Sequence, residues 1–498
     1  MKYLLVALLA LSILPLFITF HSISNSAPHS REPVADIGSL VFGGPDNDYC
    51  VGLEVINDDY LVLAGHSDSS SFGRGYEVQR YGVGGKNDIV VLLVSRHSLA
   101  VEKILRIGGS EDDCLTRLSM DSNGFLYLAG HTLSKDFPAE TLMGKPSTEL
   151  KTNIFLIKIH ALLDGPSHST LMGGSGFDYP GALAIGKDGV YVGGYTASPN
   201  FPGLGENFAD HLAQSEDEGY SYGFDGFVTK MNFDLTTIMA ATFMGGGADE
   251  FIHDMALGKD GQVVITGSTC STDFPTTADT YRSPTRSDGV NAFITVLKND
   301  LSTISTSMVL EPSNHIYVRA IAIDRDQSFW ITGYCNYGDF PTSSGVIGPN
   351  HEGGGYDGFV VHFDKYLSEI ISSSYLGGGN NEFPQTVDIT PDGDVLIGGY
   401  TDSFGTFPST NNFNKSRFNF GHFDTFITVV SHDLSVIKRS IMNGGNGYDF
   451  IQGMKITDNK KLYAYGNTTS SDIPTITPGR TDNKYKNNDM FLQIMDLP

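Results

Sequence analysis

Residues 373–401 read SSYLGGGNNEFPQTVDITPDGDVLIGGYT. One β-branched and aromatic run closes on glycines, a second begins at Glu382, and a Pro-Asp-Gly turn leads into a third that ends at Gly398-Gly399. Short runs of this composition, bounded by Gly, Asp and Asn, predict antiparallel strands. The glycine that closes the third run recurs as Gly65, Gly130, Gly194, Gly267, Gly333, Gly399 and Gly466, at intervals of 64 to 73 residues. Seven units therefore fill almost the whole chain after residue 36.

Each unit holds four runs in a fixed order, exemplified by GALAIGKDG from Gly181, VYVGGYT from Val190, DGFVTKMN from Asp225 and MAATFMGGG from Met239. Four strands in each of seven units predict an all-β, seven-bladed β-propeller with antiparallel blades. A solenoid would need atypical polar capping repeats, and both ends look ordinary. The ends are also complementary. GSLVFGG from Gly38 matches a fourth run without its first three, and NDMFLQIMDLP from Asn488 stops after a third run. Residues 39–43 are thus expected to pair with residues 489–496, closing the ring and removing its exposed sheet edges. Residues 36–498 form one propeller domain in this reading.

The pattern STYLGGxxxDYxxxIAxDxxGxVYVTGYTxSxDFPT…DAFVTKLN, matched by the opening stretch and by TSTDFPTT from Thr269, resembles the SBBP-type propeller repeats of extracellular proteins. The resemblance covers roughly residues 38–498. It implies an extracellular propeller and brings no established catalytic residues.

Composition agrees with an ordinary folded chain, 40% hydrophobic and 18% charged over 498 residues. A formal charge of −25 argues against a nucleic-acid partner, which needs clustered Lys and Arg. Residues 1–27 carry one lysine, an apolar run from Tyr3 to Phe20 and small polar residues, the pattern of a secretory signal peptide, with an uncleaved anchor as the alternative. A secreted or cell-surface monomer is expected. In that compartment disulfides are permitted, and the one-residue register offset between units predicts Cys270–Cys335 and Cys50–Cys114 staples between neighbouring blades. Asn414 and Asn467 begin glycosylation sequons.

The candidate site residues form two rings. An acid precedes the innermost strand in six units: Asp48, Asp113, Asp178, Glu250, Glu382 and Asp449, with Ile316 in the fifth. Such acids either line a channel mouth and bind Ca²⁺ through oxygen, or cap backbone N–H groups where the chain enters its blade. After the closing glycine come His66, His131, Tyr195, Tyr334 and Tyr400, with Ser268 and Asn467 completing the ring. They suit a glycan or peptide, or they pack beneath their own loops. The phrase Phe-Pro, at Phe137, Phe201, Phe274, Phe340 and Phe407, reads as a loop fastener. An Asx opens each third run: Asp88, Asn153, Asp225, Asn291, Asp357, Asp424 and Asp489. No nucleophile elbow, zinc-protease motif or phosphate-binding loop is present. The leading expectation is a binding module using its long-loop face; the alternative is a propeller hydrolase or lyase with a divalent cation at the channel mouth.

Overall fold

The computed structural model describes residues 37–82, 84–147, 151–203, 223–283, 289–311, 315–336, 340–410, 422–473 and 487–497. The expected signal peptide and Asn414 lie outside these residues. The seven sheets stand as blades around a ring, each with four antiparallel strands. The innermost strands run from Asp48–Val55 in blade 1 through Asp113–Met120, Asp178–Ile185, Glu250–Leu257, Ile316–Ile323 and Glu382–Ile389 to Asp449–Ile456 in blade 7. Among the described residues no helix is long and apolar enough to cross a membrane.

The ring closes as the chain ends require. Ile37–Phe42 pairs antiparallel with Asp489–Asp496, Leu40 opposite Leu492 and Phe42 opposite Met490, as the fourth strand of blade 7. Blades 1 and 2 also carry a short fifth strand, Val78–Gly82 and Thr141–Gly144, parallel to the outer strand. It lies in the polar loop after the second strand, where the sequence shows no run of strand length.

Burial is arranged between blades rather than within them. Seven apolar clusters each join two neighbours; the one across the seam unites Leu40, Phe42, Cys50 and Leu53 with Tyr463 and Leu492. This explains why third strands such as Asn291–Leu297 and Asp424–Val430 are buried at every position and show no alternation. The Phe of each Phe-Pro is a plug: Phe201 lies 4.4 Å from Phe227, Phe274 4.6 Å from Phe293 and Phe407 4.7 Å from Phe426, ring to ring. In the turn between third and fourth strands, six leucines adopt positive φ, from Leu99 to Leu434. This costs a non-glycine residue about 1 kcal/mol or more. At Leu163, Leu235, Leu367 and Leu434 the side chain is buried at 0–1% exposure, which offsets the strain.

Deleting Ile37–Phe42 removes the buried side chains of Leu40, Val41 and Phe42 and uncovers the edge of Asp489–Asp496. At about 1.5–3 kcal/mol for each side chain, the loss is about 5 kcal/mol or more. A strongly lowered melting temperature is expected, and an unchanged one would contradict the closure.

Candidate functional site

The six acids of the first ring are fully buried, each at 0% exposure. They do not open onto the channel mouth, which corrects that expectation. Each is instead the centre of a clasp. In blade 3, Thr196 Oγ1 donates to Asp178 Oδ1 at 2.5 Å, while Ser198 Oγ and Gly174 N donate to Oδ2 at 3.1 and 2.9 Å. In blade 1 the donors to Asp48 are Ser67 Oγ, Ser69 Oγ and Gly44 N. In blade 7 the donors to Asp449 are Thr468 Oγ1, Ser470 Oγ and Gly445 N. Glu250 accepts from Thr269 Oγ1 at 2.7 Å and Gly246 N at 2.9 Å. The donor glycine comes from the outer strand of the preceding blade, so each clasp ties two blades together. In Asp48, Asp178, Glu250 and Asp449 both carboxylate oxygens are satisfied by these N–H and O–H donors. That set does not fit Ca²⁺, which needs six to eight oxygen ligands.

The clasp also explains the Gly-Gly that ends each outer strand. A Cβ on Gly174 would overlap Ser198, and one on Gly173 would meet Asn153 and Asp178. The Asx opening each third strand therefore faces the acid of the next blade across this glycine, as Asp225 with Glu250 at Gly245 and Asp357 with Glu382 at Gly377. Five of the seven junctions bring two carboxyl groups together. Burial pushes Asp48, Asp113, Glu250 and Asp357 up to about 7, and Asp178 and Asp449 to about 6. Asp424 rises to about 9, through burial and then the charge of Asp449 and a hydrogen bond with it. At the junction of blades 1 and 2 the carboxyl pair also has a buried cation beside it: Arg106 Nε donates to Asp88 Oδ2 at 2.9 Å.

The second ring interlocks the blades just inside the clasps. Tyr195 meets Phe251 of the next blade at 5.0 Å, Tyr334 meets Phe383 at 4.8 Å and Tyr400 meets Phe450 at 4.8 Å, all edge-on. His131 packs against Tyr179 and His66 against Tyr49. Burial drives His66 down to about 3 and His131 to about 4, so both imidazoles are neutral near pH 7. These residues form an aromatic girdle rather than an open pocket. Asn467 is buried at 5% exposure, and its Oδ1 accepts from Cys50 N at 2.7 Å. It seals blade 7 to blade 1 and cannot present the exposed amide that a glycan requires.

All four cysteines are free thiols, so neither expected staple is formed. The register offset has another cause. Cys335, opposite Ile316, takes the place of the clasp hydroxyl and lies in the core between blades 4 and 5. Cys270 occupies the following position and packs with the girdle residues Phe251 and Tyr317. Cys50 lies in the core facing blade 7, whereas Cys114 replaces a girdle aromatic.

Inside the girdle, every innermost strand has a bulge that leaves one residue unpaired, His253 in blade 4 and Arg319 in blade 5 among them. The bulge brings a carbonyl against the repeat-marking glycine: a Cβ on Gly194 would overlap Tyr179 O, and one on Gly267 would overlap Phe251 O. It also aims polar groups into the channel. Arg117 Nη2 reaches across to His253 O at 2.7 Å, two blades away, and Asp254 Oδ2 accepts from Ile321 N at 2.9 Å. Arg319 lies over the Tyr334 ring, and Lys455 pairs with Glu54 at 2.8 Å. Burial, then the charges of Arg319 and Arg117, hold His253 down to about 3. Sequence reasoning gave this channel set no role. Its one signal is the presence of charges within otherwise apolar innermost strands.

At the opposite, tight-turn end, the tips of the innermost strands of blades 5 to 7 and their turns line a cleft of about 310 Å³. Asp324 and Arg325 of blade 5, Asp388 and Pro391 of blade 6, and Asp458 of blade 7 line it. Arg325 is engaged, its Nη2 donating to Pro391 O at 2.6 Å. Burial holds Asp388 above the usual carboxylate range. For Asp324, burial pushes upward but hydrogen bonds from Trp330, Arg325 N and His432 outweigh it, so it lies below that range. This cleft is on the face that the sequence analysis passed over in favour of the long loops.

Two predictions follow from the clasp. Asp178→Ala leaves Thr196, Ser198 and Gly174 without their acceptor and should cost about 3 kcal/mol in unfolding free energy; a loss below about 1 kcal/mol would show that the clasp is dispensable. The raised carboxyl groups bind protons in the fold that they release when unfolded at neutral pH. Their stabilisation is complete below the unfolded value near 4 and is lost as pH rises through the folded values of about 6 to 9. The melting temperature should therefore fall as pH rises from about 5 to 9, most of the fall coming below about pH 7, and Asp424→Asn should flatten its upper part.

No protein-family model matches the chain, and no curated protein matches it. Among solved structures, it is similar to Kuenenia stuttgartiensis hydrazine synthase, with 11% identity and TM-score 0.41, covering 78% of this chain and 92% of that one. Phage phi92 endosialidase gives 10% identity and TM-score 0.41, covering 93% and 69%. The propeller domain of the Trilobed protease from Pyrococcus furiosus gives 7% and 0.40, covering 86% and 91%. At such distances the likenesses carry no functional argument.

Proposed function

We propose that this chain is a secreted propeller of the SBBP-repeat type that acts as a binding module, and that it seats a basic side chain of a protein ligand in the tight-turn cleft. The observation that carries this reading is the cleft itself, where three carboxylates from three successive blades converge beside one arginine that is already engaged. A cationic group matches that charge, and the overall charge of −25 steers such a partner towards it. The carboxyl groups at the loop-face end, the candidates for acid–base chemistry there, are enclosed in clasps. This favours binding over hydrolysis and moves the proposed contact from the long-loop face to the opposite one.

The test is titration of the purified chain with lysine- and arginine-rich peptides, alongside neutral and acidic glycans. Binding of a basic peptide should weaken with salt, and Asp458→Asn should weaken it by about tenfold, the effect of about 1.4 kcal/mol. Peptide binding indifferent to both changes would overturn the cleft assignment. Binding of a glycan alone would return the site to the loop face.

A further inference from the structure

At the edge of the cleft, side chains from two turns and one strand end converge on the boundary between blades 5 and 6. Asp324 follows the innermost strand of blade 5, His362 lies near the end of its third strand, Asp357–Phe363, and His432 follows the third strand of blade 6, Asp424–Val430. One ligating atom from each lies within 4.8 Å of the other two. His432 Nε2 is 2.9 Å from Asp324 Oδ2, and the two imidazole rings stand perpendicular with centroids 5.0 Å apart. We propose that Asp324, His362 and His432 form a binding site for a divalent transition-metal ion of the zinc class.

The donor set selects the metal. Two imidazoles and one carboxylate suit zinc and its neighbours in the first transition row, whereas Ca²⁺ and Mg²⁺ take oxygen ligands. The surroundings hold the ligands in place. His362 stacks on Trp330 with centroids 4.0 Å apart and rings 11° from parallel. Its Nε2 shares a hydrogen bond with Ser328 Oγ at 2.7 Å, and Ser328 Oγ in turn donates to Asp326 Oδ1. Nδ1 of this buried ring has no hydrogen-bond partner. Trp330 Nε1 donates to Asp324 Oδ2 at 3.0 Å. Hydrogen-bonded supports of this kind orient metal ligands.

Ligand atoms around tetrahedral zinc are about 3.3 Å apart, as bonds of about 2.0–2.1 Å require. The site must therefore close slightly, and His432, whose side chain is 50% exposed on its turn, is free to make that movement. Its exposure also leaves room for a water or a ligand group as fourth partner. The ion would clip blade 5 to blade 6 at the cleft margin. This adds to the binding reading without depending on it.

Trp330 is the only tryptophan and touches all three ligands, so its fluorescence reports on this one place. Co²⁺ titrated into the metal-free full chain should quench that fluorescence and saturate at one equivalent, and Zn²⁺ should compete for the site. His432→Ala should raise the quenching midpoint by about tenfold or more. His97→Ala, which removes an exposed His–Asp59 pair elsewhere, should leave it unchanged. His432 lies on an exposed turn, and an unaltered circular dichroism spectrum and melting temperature before titration verify that the variant is folded. Quenching that does not saturate, or that has the same midpoint in His432→Ala, would overturn the proposal.

Discussion

The contact on which the ring depends is a buried carboxyl group held by two hydroxyls and one glycine N–H. A carboxyl group removed from water is costly unless its oxygens are satisfied. Here the donors come from the second strand and its loop and from the outer strand of the preceding blade, so satisfying the acid also docks one blade on the next. The Gly-Gly pair exists because the carboxyl and the serine approach that backbone too closely for any side chain.

Blade 5 shows that these residues form one device. Ile316 replaces the acid, and Cys335 replaces the hydroxyl opposite it. In the sequence, Glu311-Pro312 align with the Gly-Gly of the other units, and a proline has no N–H to give. Asn291 replaces the facing carboxylate. With the acid gone, every partner that served it has been released, and Ile316 and Cys335 join the apolar core between blades 4 and 5. The remaining clasps place ionisable groups at the junctions that hold the ring together, and this couples its stability to protonation.

The loop-face rings are thus structural, while the open concavity described here lies at the other end of the channel. There the tight turns bring Asp324, Asp388 and Asp458 together from three blades, and His362 and His432 meet Asp324 across one boundary. Neither grouping follows the repeat. Strand count, seam and Phe-Pro plugs were legible because each recurs from blade to blade or stands at a chain end. Asp324 and His432 lie in turns of varied composition and His362 near the end of a strand, so no spacing marks them as neighbours.

The sequence alone determined the seven units, the four strands in each and the closure by the first strand, expected at residues 39–43 and found at Ile37–Phe42, since these follow from local strand and turn chemistry repeated along the chain. It could supply the acids and the cysteines, but not their surroundings. Whether Asp178 faces water or three donors, and whether Cys335 meets another thiol or Ile316, depends on which faces of neighbouring blades come together. Only the closed ring decides that, because its cores lie between blades, and residues more than sixty positions apart become neighbours across them.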